Sequence, residues 1–356
     1  MRIGTVLGHG RSFDQIATET ADYESVGLDS ATLGEAYTFD AVSQLGYLAA
    51  RTTTIELATG ILALDARTPA TLAMTAAGLD YVSKGRFRLG IGASGPQVVE
   101  GFHGVAFEHA VGKSREIIDI CRTVWRREPL RHDGRRFQIP VPPERGTGLG
   151  KPLKLINHPV RSDIPISIAA LGETMVALTA ELAQGWEPIF FYPEKMQAVW
   201  GEALRRGQAA RDPALGDLDI IVRLPFAIVD DDSAWLDRAR PQLALYIGGM
   251  GSREKNFYNS LARRYGFDAE AGAIQDLFLS GRHKEAAAAV PDELVRATSL
   301  IGPVSYVAER VAMLEELGVG LLNVVPMADT HPERLAAVES LRDLVDRTDP
   351  PGKQES

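Results

Sequence analysis

Two glycine-rich segments carry residue types that suit the binding of a phosphate group. Residues 90–95 read GIGASG, which matches the pattern G-x-G-x-x-G, and residues 169–174 read AALGET. Small side chains let a ligand approach backbone N–H groups, and the N-terminus of a following helix attracts an anion. Each segment alone could equally be a close-packing feature or a plain capping turn. The two together favour a cofactor that carries a phosphate.

The glycine pattern at 90–95 is only a weak indication of a Rossmann dinucleotide site. Pro96 follows it directly, the pattern occurs at the fourth predicted strand, and no acidic residue ends a following strand about 20 residues later. The segment also misses the Gly-x-Ser-x-Gly frame of a nucleophile elbow. We therefore favour neither a Rossmann fold nor a nucleophilic serine.

Two carboxylates, Glu35 and Asp40, flank the end of the second predicted strand. A carboxyl in an apolar barrel mouth has a raised pKa, so it could donate a proton or orient a cofactor. Asp40 directly precedes a predicted helix over 41–50, which is the position of an N-cap. Glu35 is therefore the functional candidate of the two.

The histidines lack the spacing of a metal site. His103 and His109 lie near Glu100 and Glu108, but the four residues do not form HExxH or a comparable ligand pattern. We predict no metal site and assign both histidines to loops and helix caps. His103 is close enough to the predicted strand ends to contact a ligand there.

The elements that would position these residues alternate between strands and helices. Apolar runs followed by helix-period segments predict eight strands. They cover residues 2–7, 30–35, 55–61, 87–92, 165–170, 186–191, 219–229 and 321–326. The alternation implies parallel strands joined by right-handed crossovers, and eight such units favour an α/β protein with a closed (β/α)8 TIM barrel over an open doubly wound sheet. Its active site would lie at the C-terminal strand ends.

We predict a single barrel domain over 1–347 with two insertions. Residues 128–163 are rich in Pro, Gly, Arg and Lys and are predicted as a loop or hairpin. Residues 232–300 are predicted as a helical insertion before the last strand, and their aromatic residues recur at helical spacing, which is typical of core packing. The tail over 348–356 is predicted to be disordered.

The composition disfavours several classes of protein. Among 356 residues, 47 are Asp or Glu and 38 are Lys or Arg, and the net charge of −9 disfavours a nucleic-acid partner. The lone Cys121 excludes an internal disulfide, which fits a reducing compartment. No signal peptide and no apolar run of about 18 residues occurs. We expect a cytoplasmic protein without a membrane partner.

Residues 92–104, GASGPQVVEGFHG, resemble the luciferase-like monooxygenase superfamily, and within it the branch that uses the deazaflavin coenzyme F420. The resemblance extends over 34–61, 67–92, 150–155, 165–191 and 302–326 and lapses over roughly 232–300. It implies a bacterial-luciferase-like (β/α)8 barrel with the deazaflavin at the C-terminal mouth.

The resemblance also implies which residues contact the cofactor. A cis peptide without proline would fall on Gly60–Ile61 and lie against the back of the ring. Contacts with the phosphate and the tail would come from Ser94, Gly95, Gln97, Val98, Val99, Ala169, Ala170, Leu171 and Gly172.

One departure concerns the proton. Related sugar-phosphate dehydrogenases have an acid–histidine pair at the end of the second strand, where this chain has Glu35 and Ala36. A proton exchanged in turnover must therefore come from Glu35, Tyr37 or His103, or from solvent. We do not expect activity on sugar phosphates.

The resemblance implies an F420-dependent oxidoreductase that transfers a hydride between the deazaflavin C5 and a C=C, C=N or C=O bond of a small organic substrate. The aromatic residues of 232–300 suggest an apolar or aromatic substrate, although core packing accounts for them equally well. Two alternatives stay open, because fold does not establish activity. They are an FMN-dependent luciferase-like monooxygenase and a non-catalytic protein that binds flavin or F420. A homodimer is common in the superfamily.

Overall fold

The computed structural model describes residues 1–348, in which strands alternate with helices. The strands are β1 (Arg2–Val6), β2 (Ser30–Leu33), β3 (Glu56–Thr59), β4 (Leu62–Ala63), β5 (Phe87–Gly92), β6 (His132–Asp133), β7 (Gln138–Ile139), β8 (Ile166–Ala169), β9 (Gly185–Glu187), β10 (Asp219–Ile228), β11 (Leu300–Gly302) and β12 (Val319–Pro326). The helices are α1 (Phe13–Ser25), α2 (Ala41–Arg51), α3 (Pro69–Val82), α4 (Pro96–Val99), α5 (Ala110–Trp125), α6 (Glu173–Leu182), α7 (Met196–Gln208), α8 (Ser233–Gly249), α9 (Phe257–Arg264), α10 (Asp268–Leu279), α11 (His283–Ala288), α12 (Asp292–Ala297), α13 (Val304–Glu316) and α14 (His331–Thr348).

The main sheet closes into a parallel barrel. Its strands follow the order β1, β2, β3, β5, β8, β9, β10 and β12, and the last pairs with the first through Arg2 and Leu321. Strand β4 pairs with β5 and β11 with β10, so these two short strands extend the wall without adding to the ring. The predicted (β/α)8 barrel is confirmed.

The strand predicted over 186–191 is shorter in the structure, because β9 ends at Glu187. Pro188 follows and has no N–H group to donate to a neighbouring strand. Phe190 adopts a φ of 53°, which is incompatible with an extended strand. Residues 188–191 therefore turn away from the sheet at the mouth of the barrel.

Two other differences are local. The periodicity of residues 114–127 predicts a helix that begins at Ser114, but in the structure this helix, α5, begins at Ala110, after His109 in the left-handed conformation. Strand β11 was not predicted, because it lies at the end of the segment 232–300 that was assigned to helices. The predicted hairpin within 128–163 is present as the antiparallel pair β6 and β7.

The N-terminal end of the barrel is closed by four charged residues that begin, or nearly begin, four different strands. Arg88 lies 3.0 Å from Glu56 and 3.0 Å from Asp219, and Arg2 also pairs with Asp219. Two cations therefore alternate with two carboxylates across this end of the barrel.

The segment 232–300 folds into the helices α8–α12, of which α8 and α9 reach the C-terminal end of the barrel. Within residues 1–348, no helix is both long and apolar enough to cross a membrane. The division into a single domain over 1–347 stays a prediction. The predicted disordered tail, apart from Thr348 at the end of α14, lies outside the described residues.

Candidate functional site

A cavity of about 470 Å³ opens at the C-terminal ends of the barrel strands, where barrels of this type have their active sites. This volume is in the usual range for sites that bind small molecules and cofactors. The ends of β3, β5, β8 and β9 form much of its wall, together with side chains from β10 and β12. Residues of α8 and α9 complete the wall, so the segment 232–300 contributes directly to this site.

Two helix N-termini that face the cavity lack side-chain caps. Helix α6 begins after Gly172 and α5 after His109, and at neither position does a side chain accept a hydrogen bond from the helix amides. Helices α1 and α2, by contrast, are capped by Ser12 and Asp40. Uncapped amide groups at a helix N-terminus bind anions. The cavity therefore offers a site that fits a phosphate group, with Thr174 beside it.

Glu173 is an acidic residue in the first turn of α6, close to where an anion would approach. Its carboxylate accepts a hydrogen bond from Arg264 at 3.4 Å, and its backbone carbonyl accepts one from Arg206 at 3.4 Å. These two guanidinium groups offset the negative charge of the carboxylate. The N-terminus of α6 is thus compatible with a bound anion.

The pattern at 90–95 combines packing and ligand contact. Gly90 lies against β3, where a Cβ atom would be 1.8 Å from the carbonyl oxygen of Thr59. Glycine is required there for close packing of the two strands. Gly92, Ala93 and Ser94 instead line the cavity. Close packing therefore accounts for Gly90, whereas Gly92, Ala93 and Ser94 are placed to contact a ligand.

The Gly60–Ile61 peptide is cis, as the resemblance implies. Both residues line the cavity at the end of β3. A Cβ atom at position 60 would lie 2.3 Å from Cγ2 of Thr32, so glycine is needed at this close approach. The peptide forms a ledge on the β3 side of the cavity.

Seven of the residues predicted to contact a cofactor line the cavity. They are Gly60, Ile61, Ser94, Ala169, Ala170, Leu171 and Gly172. Gly95 is the N-cap of the short helix α4, whose Val98 and Val99 are buried and whose Gln97 is exposed. The structure places these four outside the cavity lining, in a turn that supports Ser94.

Glu35 is engaged by protein groups outside the cavity lining. Its two carboxylate oxygens accept hydrogen bonds from Arg67 at 2.6 and 2.9 Å, and one also accepts from the backbone N–H of Ala41 at 2.9 Å. A bidentate hydrogen bond from arginine fixes the orientation of a carboxylate. These contacts suit a role in holding the loop before α2. Asp40 caps α2, as predicted, by accepting from the N–H of Ser43 at 2.8 Å.

Tyr37 and His103 lie together at the outer rim. Tyr37 is exposed, and its ring contacts Phe102, which in turn contacts His103. Neither Tyr37 nor His103 lines the cavity. His109 is the N-cap of α5, as predicted. In the part of the chain that the structure describes, no group of three or more His, Cys, Asp or Glu side chains could hold a metal ion.

Three polar residues inside the cavity are not among the predicted site residues: Glu187, Arg223 and Asn323. Glu187 ends β9, and Arg223 and Asn323 each interrupt an apolar run, in β10 and β12 respectively. Inward-facing positions of a barrel strand are normally filled by apolar side chains. A lone polar residue within an apolar run was therefore the signal that could have identified Arg223 and Asn323.

Glu187 is partly buried and lies beside the cis peptide. Its carboxyl accepts a hydrogen bond from the Ser167 hydroxyl, and its Oε2 lies 3.7 Å from the position of a Cβ atom at Gly60. Burial raises the pKa of Glu187 above its usual range. The Ser167 hydrogen bond and the charges of Arg88 and Arg223 oppose this rise without cancelling it.

Aromatic side chains from the segment 232–300 form the side of the cavity contributed by α8 and α9. Tyr246 and Tyr258 pack edge to face at 4.7 Å between ring centroids, and Phe190 contacts both. Phe257 lies at the same wall. The sequence left two interpretations open for the aromatic residues of this segment, core packing and contact with a ligand; Tyr246, Phe257 and Tyr258 line the cavity and fit the second.

Comparison with protein families matches residues 1–320 to the luciferase-like monooxygenase family. A Mycobacterium tuberculosis protein named "Putative coenzyme F420-dependent oxidoreductase" is 40% identical over 343 residues, which is 95% of this chain and 99% of that protein.

Solved structures share the fold. The coenzyme F420-dependent tetrahydromethanopterin reductase from Methanopyrus kandleri has a TM-score of 0.80 and 21% identity, and the alignment covers 97% of this chain and 98% of the other. The FMN complex of a type II Baeyer–Villiger monooxygenase from Pseudomonas putida has a TM-score of 0.63 and 21% identity, with 98% of each chain covered. The same barrel thus occurs with both cofactors.

Proposed function

The chain belongs to the luciferase-like monooxygenase family, in its coenzyme F420-dependent oxidoreductase branch, and on this premise we propose that it binds F420 in the barrel-mouth cavity and reduces or oxidises a small organic substrate. The observation that carries the proposal is a single cavity that is lined both by Gly60 and Ile61 and by the N-termini of α5 and α6, which have no side-chain caps. F420 combines a flat ring with a phosphate, and the two features match these two parts of the cavity.

The residues that would hold the cofactor fall into two groups. Gly60 and Ile61 would support the ring, because they line the cavity at the end of β3. Ser94, with the N-terminal amides of α5 and α6, would hold the phosphate. When bound, the reduced deazaflavin supplies a hydride equivalent, so that the protein has to provide orientation, exclusion of water and a proton.

We assign the proton to Glu187. It lines the cavity beside Gly60, and its raised pKa keeps the carboxyl protonated at a pH where ordinary glutamates are ionised. Glu35, Tyr37 and His103 lie outside the cavity lining, and Glu35 is bound by Arg67. Glu187 is therefore better placed than these three residues to give a proton to the substrate atom next to the one that receives the hydride.

Titration of the purified protein with F420 and with FMN tests the cofactor assignment. We expect F420 to bind in the micromolar range or tighter and FMN to bind more weakly. Micromolar binding of FMN without binding of F420 would overturn the proposal and favour an FMN-dependent monooxygenase. Oxygen consumption with reduced FMN and a candidate substrate would then identify that activity.

Turnover separates an enzyme from a protein that only stores the cofactor. We expect the F420-loaded protein to show a change in deazaflavin absorbance with at least one member of a panel of activated carbonyls, imines and enones. Tight F420 binding without turnover of any of them would favour the storage role. A homodimer and a cytoplasmic location stay predictions.

A further inference from the structure

Arg223 is a cation enclosed by protein that has no protein partner. It lies on β10 with its side chain at the cavity wall. Among residues 1–348, none forms a hydrogen bond or an ion pair with its guanidinium group. Tyr246 and Glu187 are the groups close enough to influence its charge, and neither is within hydrogen-bond distance.

Other enclosed arginines of this chain are paired. Arg88 binds two carboxylates, and Arg310 binds Glu194 and the carbonyl oxygen of Ala297. Removal of a charge from water is costly unless the charge is paired and hydrogen-bonded. An arginine left without a partner at a cavity wall is therefore a group that a ligand can pair.

The position of Arg223 in the barrel separates it from the proposed cofactor contacts. In the closed ring of strands, β10 lies four strands from β3 in either direction, so Arg223 faces the Gly60–Ile61 ledge across the barrel. The helix N-termini that fit a phosphate follow β5 and β8, on another part of the wall. A substrate that lies between the ring and the opposite wall would meet Arg223.

The surroundings of Arg223 indicate one anionic group on an otherwise apolar molecule. Tyr246, Phe257 and Tyr258 supply aromatic surface, and Ile221 lies beside it on the same strand. The Tyr246 and Tyr258 hydroxyls form no hydrogen bond with any described residue, so they are free to donate. One guanidinium with one or two phenols suits a carboxylate, which takes two parallel N–H bonds from arginine.

We propose that Arg223, with the Tyr246 hydroxyl as a second donor, binds a carboxylate of the substrate, and that the substrate is an unsaturated or carbonyl-containing acid with an apolar or aromatic body. This inference rests on the proposed function for the claim that the cavity is the site of hydride transfer. The anion site itself can be measured without turnover.

Matched carboxylate and amide probes test the proposal on the F420-loaded protein. Cinnamate and cinnamamide share one aromatic body and differ in charge, and benzoate and benzamide form a shorter pair. We expect each acid to bind about tenfold or more tightly than its amide, measured by calorimetry or by quenching of the deazaflavin fluorescence. Equal affinities, or no binding of either acid up to about 10 mM, would overturn the proposal.

Variants assign the preference to Arg223. Arg223→Met should weaken acid binding by about 10- to 100-fold and leave amide binding within about twofold, and Arg223→Lys should retain part of the preference. Ile221→Val, on the same strand and cavity wall, is the matched control and should keep the wild-type ratio. An acid preference that survives in Arg223→Met contradicts the proposal.

Two further measurements distinguish a lost anion site from unfolding and from a lost cofactor. Because Arg223 has no protein partner, Arg223→Met should fold and melt at or above the wild-type temperature, so lost acid binding cannot be ascribed to unfolding. If Arg223→Met instead loses F420 affinity, the arginine belongs to the cofactor and the proposal fails. If the wild type prefers the acids but does not bind F420, the anion site stands and the proposed function fails.

Discussion

Two arginines at opposite ends of one barrel differ in what surrounds their charge. Arg88, on β5, lies at the N-terminal end between Glu56 and Asp219. Arg223, on β10, lies at the cavity and has no hydrogen-bonding partner among the described residues. Burial acts to lower the pKa of both groups. For Arg88 the two carboxylates outweigh burial and raise the pKa. For Arg223 burial outweighs the opposing influence of Tyr246 and Glu187, neither of which is hydrogen-bonded to it, and the pKa is lowered.

The difference extends to other polar groups at the two ends of the barrel. At the N-terminal end, opposite charges from four strand starts pair with one another, and Nε of Arg88 is the atom of this cluster that has no hydrogen-bond partner, so the paired charges contribute to stability. At the C-terminal end, a cation, an amide oxygen of Asn323 and two helix N-termini lack partners among the described residues. Because these groups lie together at one cavity, a ligand bound there can pair them.

The largest expected effect is on stability, and it should fall on Arg88 alone. Arg88→Met leaves Glu56 and Asp219 with one fewer cation in a partly buried site, so the free energy of unfolding should drop by about 3–5 kcal/mol. Arg223→Met removes a cation without a partner and should leave stability unchanged or higher. Urea denaturation of both variants measures the contrast. Equal losses in the two variants would mean that the two ends do not differ as we argue.

The next effect is on turnover and compares two glutamates. Glu187→Gln removes the proposed proton, so the rate should fall by about 100-fold while F420 affinity stays within about twofold. Glu35→Gln weakens the contact with Arg67 and should lower the melting temperature more than the rate. The two variants are each other's control, since both exchange one carboxyl for an amide. A normal rate in Glu187→Gln would mean that the proton comes from solvent or from Tyr37 or His103 at the outer rim.

The barrel itself could be predicted because its signals are local. Apolar runs and helix-period segments are each contained within a few residues, and the rule that barrels bind ligands at C-terminal strand ends then selected residues 92–94 and 169–172. The errors at 186–191 and at β11 occurred where the chain leaves regular structure at the mouth. Pro188 and the left-handed Phe190 shorten that strand.

The part of the site that could not be predicted from the sequence depends on contacts between residues that are far apart in the chain. Arg67 lies 32 residues after Glu35, and their pairing takes Glu35 out of the set of available acids. Tyr246 and Tyr258 reach the cavity only because α8 and α9 pack over the mouth. Whether a residue on an apolar strand, such as Arg223, has a partner also depends on its neighbours in space. No local pattern contains that information.

A smaller effect concerns cofactor affinity at the uncapped helix α6. Gly172→Asp places a carboxylate at the N-cap, where it would compete with a phosphate for the same amides and repel it, so F420 affinity should fall by about tenfold or more. Gly172→Asn is the matched control, because asparagine caps a helix without charge. It should bind F420 more tightly than the aspartate variant, as measured by fluorescence titration. Equal affinities of the two variants for F420 would mean that the phosphate does not bind at the N-terminus of α6.

The smallest effect concerns how the free energy of unfolding depends on pH, and it compares two carboxyl groups, one at each end of the barrel. Near the N-terminal end, Glu24 accepts hydrogen bonds from the N–H groups of Thr53, Thr54 and Ile55. Partial burial acts to raise its pKa, but these amides prevail and lower the pKa to about 2. At the cavity, burial raises the pKa of Glu187. The two groups should therefore bias folding in opposite directions as the pH changes.

The sign of each bias follows from which state binds more protons. For Glu24 the unfolded chain binds more protons between pH 4.5 and 2, so its contribution is full above pH 4.5 and is lost as the pH falls through that range. For Glu187 the folded state binds more, so stability is lost as the pH rises from 4.5 through its raised pKa. Urea denaturation between pH 4.5 and 2 should show that the difference in the free energy of unfolding between wild type and Glu24→Gln becomes smaller as the pH falls. The change should be about 1 kcal/mol or less, because Glu24 is partly exposed. The free energy of unfolding of Glu187→Gln should rise relative to that of the wild type as the pH rises above 4.5. If the two proteins instead show the same pH dependence, the carboxyl of Glu187 is ionised in the folded state and is not the proton source.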